Sequence, residues 1–298
     1  MAVGAMQVIF NTMLHLVETG DEVILLDPGY DYYSQIRLFG GVPVPVPVRE
    51  ANRFKLDPAD LEKAVTNKTK LIIINSPSNP TGAVLEEDVL GKIAAIARER
   101  KIFVLSDEPY EHIVFDGKKH LSIAAMEGMK DLTISAYTLS KSYAMTGWRV
   151  GYAVAPKVLI DEMEKLMEHM VTGVTAVAQR AALAAISGPQ ECVVEMVRAY
   201  QARRDIIHRE LNDIEGVSCI LPEATFYAFP SVSGVCRDSW RLARYLATEH
   251  RVAVVPGVIF GKSGEGCLRI SFAIDEERLE EAITRIRLGM ERFRTAGG

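Results

Sequence analysis

The chain has 298 residues, 48% of them hydrophobic and 24% charged, with a formal net charge of -5. A chain of this length buries about three quarters of the surface it exposes when unfolded, enough for one large or two moderate domains. The acidic balance excludes the electrostatic footprint that nucleic acid or an anionic membrane requires, and leaves small anionic substrates to be met by local arginines.

Cys192, Cys219, Cys236 and Cys267 are widely spaced and form no Cys-x-x-Cys pair. Neither a metal site nor a disulfide framework is expected, and a reducing, cytoplasmic location is the expectation. The opening residues lack a basic stretch, and Gln7, Asn11 and His15 interrupt their apolar run, so they do not read as a signal peptide. No apolar run nears the ~20 residues of a membrane span.

In chain order, Met6, Ile9, Phe10, Met13, Leu14 and Val17 recur at helical spacing and predict a first helix. Val23 to Leu26 predicts a strand closed by the Asp27-Pro28-Gly29 turn. Val42 to Val48 alternates valine with proline, which cannot donate to a ladder, so an edge or extended connector is expected. Leu71 to Ile74 is continuously apolar, as in a strand buried on both faces. A helix over 86–101 and strands at Ile102–Leu105 and Leu132–Ser135 continue the alternation. Together these predict an α/β fold with a mainly parallel sheet. Beyond Val158, two long helical stretches (158–187 and 189–213) precede short strands, a helix near 238–249 and a terminal helix from Glu276. The expected organisation is a large domain over 1–187, ending in a bridging helix, and a smaller α+β domain over 188–298.

Ligands of a parallel sheet collect at the carboxyl ends of its strands. Four such ends carry unusual polar residues: Asp27–Tyr30, Asn75–Gly82, Asp107–Tyr110 and Thr138–Lys141. Any one of them alone reads as ordinary capping or turn chemistry. Gly257–Ser263 has the look of a phosphate loop but is one residue short between its glycines. No Gly-x-Gly-x-x-Gly, Gly-x-Ser-x-Gly or His-Glu-x-x-His is present.

Ser140-Lys141-Ser142-Tyr143-Ala144-Met145-Thr146-Gly147-Trp148-Arg149 resembles the cofactor-lysine segment of class I/II aminotransferases of fold type I. Asn79-Pro80-Thr81-Gly82, Asp107-x-x-Tyr110 and Leu268–Ala273 are similar to further motifs of that family, in the family's order, and the likeness runs from Val3 to the end. The resemblance implies pyridoxal 5'-phosphate held by Lys141 as an internal aldimine, with Lys141 then shuttling the α-proton. Asp107 pairs with the pyridine nitrogen, Asn79 and Tyr110 serve the phenolic oxygen, and Tyr30 stacks on the ring. Gly4, Ala5, Met6, Thr138, Ser140 and Arg149 serve the phosphate; Asn79 and Arg269 serve the substrate carboxylate. It further implies an α-amino acid and a 2-oxo acid as substrates, a homodimer, and an N-terminal segment preceding Gly4 in full-length relatives. Two other outcomes share these motifs: a carbon–sulfur β-lyase, and an inactive, N-terminally truncated cofactor-binding paralogue. Taken singly, Lys141 could equally be a solvated loop lysine, Asp107 a capping acid, Tyr30 a core side chain and Arg269 a surface ion-pair partner.

Overall fold

The computed structural model describes residues 1–295. Its larger sheet is assembled from β1 (Glu22–Asp27), β2 (Val42–Pro47), β3 (Thr69–Asn75), β4 (Phe103–Asp107), β5 (Thr133–Thr138) and β6 (Gly151–Val154). The order across it is β2-β1-β3-β4-β5-β6, parallel throughout except for β6, which runs antiparallel to β5. Proline-rich β2 sits at the edge, where its missing donors cost no ladder bond.

Alternation along the strands sorts side chains to the two faces. Leu71 and Ile73 pack with α1 (Ala5–Leu16), α2 (Tyr33–Leu38) and α6 (Lys157–Val171) through Ile9, Met13, Ile36 and Met163. Ile72 and Ile74 pack on the opposite side with α3 (Pro58–Ala64) and α4 (Glu87–Arg100) through Leu61, Leu90, Ile93 and Ala97. All four β3 side chains are at most 1% exposed, and each contributes roughly 1.5–3 kcal/mol by burial. The charge pattern of α4, acidic in its first turn and basic in its last, complements the helix dipole.

After the one-turn α5 (Leu139–Ser142), the helical stretch expected over 158–187 is two helices. The chain breaks where Thr172 takes φ 61° beside Gly173, and α7 (Ala176–Ser187) restarts with Thr175 accepting the Ala178 N–H at 3.4 Å. A threonine cap satisfies a first-turn donor that would otherwise be orphaned, so restarting the helix there costs little. A second core joins α8 (Glu191–Asn212), α9 (Ser239–His250) and α10 (Glu276–Thr295) to a small sheet. That sheet is antiparallel, in the order β7 (Tyr227–Ala228), β9 (Leu268–Ser271), β8 (Val255–Pro256). Among the described residues no helix is long and apolar enough to cross a membrane.

Candidate active site

The strands β3 and β4 end side by side, with Asn75 paired in register to Asp107. Both side chains are buried. The Asn75 amide donates to the Asp107 carbonyl at 3.0 Å, and its oxygen accepts the Asn79 N–H at 2.7 Å, which fixes the start of the Asn79–Gly82 turn. The Tyr32 hydroxyl donates to Asp107 Oδ2 at 2.6 Å, whereas buried Oδ1 has no partner. Burial pushes the Asp107 carboxyl up to about 6, against the pull of the Tyr32 hydrogen bond.

Lys141 follows from how β5 ends. The Thr138 hydroxyl accepts the Ser140 N–H at 3.2 Å and so caps α5, the turn that carries the lysine. Lys141 Nζ then lies 5.7 Å from the Phe226 ring centroid and 6.0 Å from that of Tyr110. Burial between these rings, and then the nearby Arg269 and Arg149 guanidinium groups, hold its amine below the ordinary lysine value.

At one end of the cavity, Gly4 stands before α1 with φ 77° and ψ 170°, a conformation essentially reserved for glycine. A Cβ at Gly4 would lie 2.6 Å from Arg149 Nη2, so the missing side chain is what lets the guanidinium reach the helix N-terminus. Ala5 and Met6 are the first two residues of the helix itself, and their N–H groups are among the unpaired donors of its first turn. Arg149 is held by the Thr146 carbonyl at 2.9 Å and approaches the Ser140 hydroxyl at 3.4 Å.

At the other end, Arg269 extends from β9. Its Nη1 donates to Asn79 Oδ1 at 2.9 Å, and its guanidinium lies 4.4 Å from the Tyr227 ring centroid and 4.8 Å from that of Phe260. Its buried Nε has no partner. The Tyr227 hydroxyl in turn accepts from the Tyr110 hydroxyl at 3.2 Å.

A single cavity of about 360 Å³ is lined by Ala5, Met6, Tyr30, Asn79, Asp107, Tyr110, Thr138, Ser140, Lys141, Arg149 and Arg269. Of the residues singled out in the sequence, only Gly4 stands outside this lining, acting instead through Arg149. The cavity adds Asn75 and Tyr227, and Tyr32 stands behind Asp107. Asn75 is marked in the sequence as the polar residue ending its strand, and Tyr227 falls in the Glu223–Tyr227 stretch that resembles the family's mobile small-domain segment; Tyr32 carries no comparable mark. The end of the Gly257–Ser263 loop is taken up by a carboxyl of the chain's own: Asp27 Oδ1 accepts the Ser263 N–H at 3.0 Å.

The family model for aminotransferase class I and II matches residues 1–286. The chain belongs to that family. Its members transfer amino groups with the help of pyridoxal phosphate, and the parallel sheet with its covering helices is that of fold type I. This aminotransferase is 42% identical over 295 residues to a probable aspartate/prephenate aminotransferase of Aquifex aeolicus, covering 97% of this chain and 74% of that one. It superposes with TM-score 0.94 and 39% identity on an aromatic aminotransferase from Pyrococcus horikoshii, covering 98% of this chain and 78% of the other. Against an aspartate aminotransferase from Thermus thermophilus, solved with maleate, the values are 0.91 and 36%, covering 97% and 75%.

Proposed function

We propose that this aminotransferase binds pyridoxal 5'-phosphate through Lys141 and passes an amino group from an α-amino acid to a 2-oxo acid. The observation that carries the reading is the convergence of a half-buried lysine amine and an orphaned aspartate oxygen in one cavity between two arginines. The residues fit the cofactor. The recess at Gly4 meets the positive end of α1, where a phosphate is favoured, with Arg149, Ser140 and Thr138 beside it. Asp107 Oδ1 is free to accept the ring N–H, Tyr110 and Asn79 stand by for the phenolic oxygen, and Tyr30 would cover a ring face.

Bound there, the cofactor supplies a cationic ring that takes up the electrons left when the substrate Cα–H bond breaks. Lys141, less basic than a free lysine, accepts the α-proton and returns it. Arg269 and Asn79 fix the substrate α-carboxylate, and the Phe226 and Tyr110 rings keep water from the lysine amine. Relatives named for aspartate and aromatic amino acids make L-aspartate and L-phenylalanine the first donors to test. Residues 1–187 act as the cofactor domain and 188–298 as the smaller domain that brings Arg269. Helix α7 leaves Val177, Leu183 and Ile186 more than half exposed, apolar surface suited to a second copy in a homodimer. Four free cysteines fit a reducing, cytoplasmic setting.

The test is absorbance with added pyridoxal phosphate, then borohydride trapping, for wild type and Lys141→Ala. A visible band trapped at Lys141 in wild type only, with transfer that requires an oxo acid, supports the reading. Pyruvate released without an oxo acid would make the chain a β-lyase. A trapped cofactor without turnover would make it a binding protein.

A further inference from the structure

Outside the cavity, one carboxylate gathers more charged partners than its place on the chain suggests. Glu223 is on the segment between α8 and β7, 12% exposed at its side chain. Its Oε2 accepts the Lys55 ammonium and, at 3.1 Å, the Val84 N–H; its Oε1 lies 3.1 Å from Lys118 Nζ. Burial would raise this carboxyl, but the Lys55 ammonium and the Val84 N–H outweigh it and hold the group below its usual range. Lys55 also donates to the Val84 carbonyl at 2.8 Å, so the ion pair grips both polar groups of Val84.

The backbone around Glu223 is fastened to the same places. Its N–H donates to Gly82 O at 3.0 Å, and its carbonyl accepts from Phe115 N–H at 3.0 Å. The fit at Gly82 is close: an added Cβ would stand 2.8 Å from Pro222 Cβ. Two residues on, fully buried Thr225 takes φ 69°, a conformation that a β-branched residue does not hold unaided. Phe226 and Tyr227 follow at once, against Lys141 and Arg269. Glu223 therefore anchors a strained segment to the turn that carries Asn79.

We propose that Glu223 is a positioning residue for substrate recognition: it ties the Asn79 turn to the Phe226–Tyr227 wall and so sets the spacing at which Asn79 and Arg269 meet the substrate carboxylate. The inference rests on the amino-transfer reading above. It concerns substrate affinity first, because Lys141, Asp107 and Arg149 stand at the ends of β4, β5 and β6, and of these Lys141 meets the tied segment through the Phe226 ring.

Glu223→Gln keeps the shape and removes the charge. We expect KM for the amino donor to rise about tenfold, the loss of one charge-assisted contact, while kcat and the dissociation constant of pyridoxal phosphate stay within about twofold. Calorimetry with 3-phenylpropionate, an unreactive carboxylate, on the cofactor-loaded protein should show the same weakening. Lys55→Met is the second variant, used also if Glu223→Gln does not fold. It should shift KM in the same way, and the double variant should be no worse than either single one. An unchanged KM with a lowered melting temperature would leave Glu223 merely structural, and equal losses in kcat, KM and cofactor affinity would also overturn the proposal. If the wild type neither traps cofactor at Lys141 nor transfers an amino group, the underlying reading fails instead.

Discussion

Gly4→Ala is the sharpest probe of the phosphate end, because it adds one methyl group to a residue that does not itself line the cavity. At φ 77° and ψ 170° the new side chain costs about 1–3 kcal/mol in backbone strain, which lowers the melting temperature by a few degrees. The methyl would lie 2.6 Å from Arg149 Nη2, the far end of a flexible side chain, so the guanidinium moves and the backbone need not. What is lost is its aim at the anion. A charge-assisted hydrogen bond is worth about 1.5–3 kcal/mol, and since Arg149 is exposed the lower end applies. The expected result is about a tenfold weaker dissociation constant for pyridoxal phosphate, read by equilibrium titration of the visible band, with covalent trapping at Lys141 preserved at saturation. Wild-type affinity in a Gly4→Ala protein that melts normally would refute both the strained glycine and its link to Arg149.

Two further predictions follow from the cavity. Arg269→Lys keeps the charge but not the planar fork, so KM for amino donors should rise about 10- to 100-fold while the cofactor spectrum is unchanged; a loss of cofactor binding would place Arg269 in the wrong role. The Asp107 carboxyl, held up to about 6 by burial, takes a proton as pH falls through that value and can no longer pair with a ring N–H. Cofactor affinity should therefore fall below pH 6 by up to about tenfold per pH unit. Tyr32→Phe removes a contact that lowers this carboxyl, so the decline should begin at higher pH, and Asp107→Asn should lack the component altogether. Subtracting the Asp107→Asn profile cancels the phosphate's own titration, and identical wild-type and Asp107→Asn profiles would exclude Asp107 as the titrating group.

Much of this architecture is legible from local signals. The Leu71–Ile74 run announces a doubly covered strand because each face needs an apolar side chain, and proline in Val42–Val48 announces an edge. Lys141, Asp107 and Asn79 are conspicuous because polar residues interrupt apolar runs at strand ends. Tyr32 and Tyr227 are not, since their significance comes from a partner 75 positions away in one case and from Arg269 on the paired strand of the small sheet in the other. The break at Thr172 is likewise hidden: helical periodicity continues on both sides, and only the left-handed turn with the Thr175 cap ends the first helix. Glu223–Tyr227 resembles the family's mobile small-domain segment, but nothing in that likeness marks Glu223 as an anchor until folding brings Lys55, Val84 and Lys118 to it.

The pairing of Ala2 with Gly151 has its own consequence. Their two reciprocal backbone hydrogen bonds, 2.8 and 2.9 Å, are what set Gly4 beside Arg149, residues drawn from opposite ends of the larger sheet's sequence. A chain in which β6 has not joined the sheet cannot present that pair, because Ala2 docks on the first residue of β6. Anion affinity is thus a gauge of whether β6 is in place in the larger sheet. Phosphate bound there would act as a clasp, slowing the opening of the Ala2–Gly151 pair and protecting both amides from exchange with solvent.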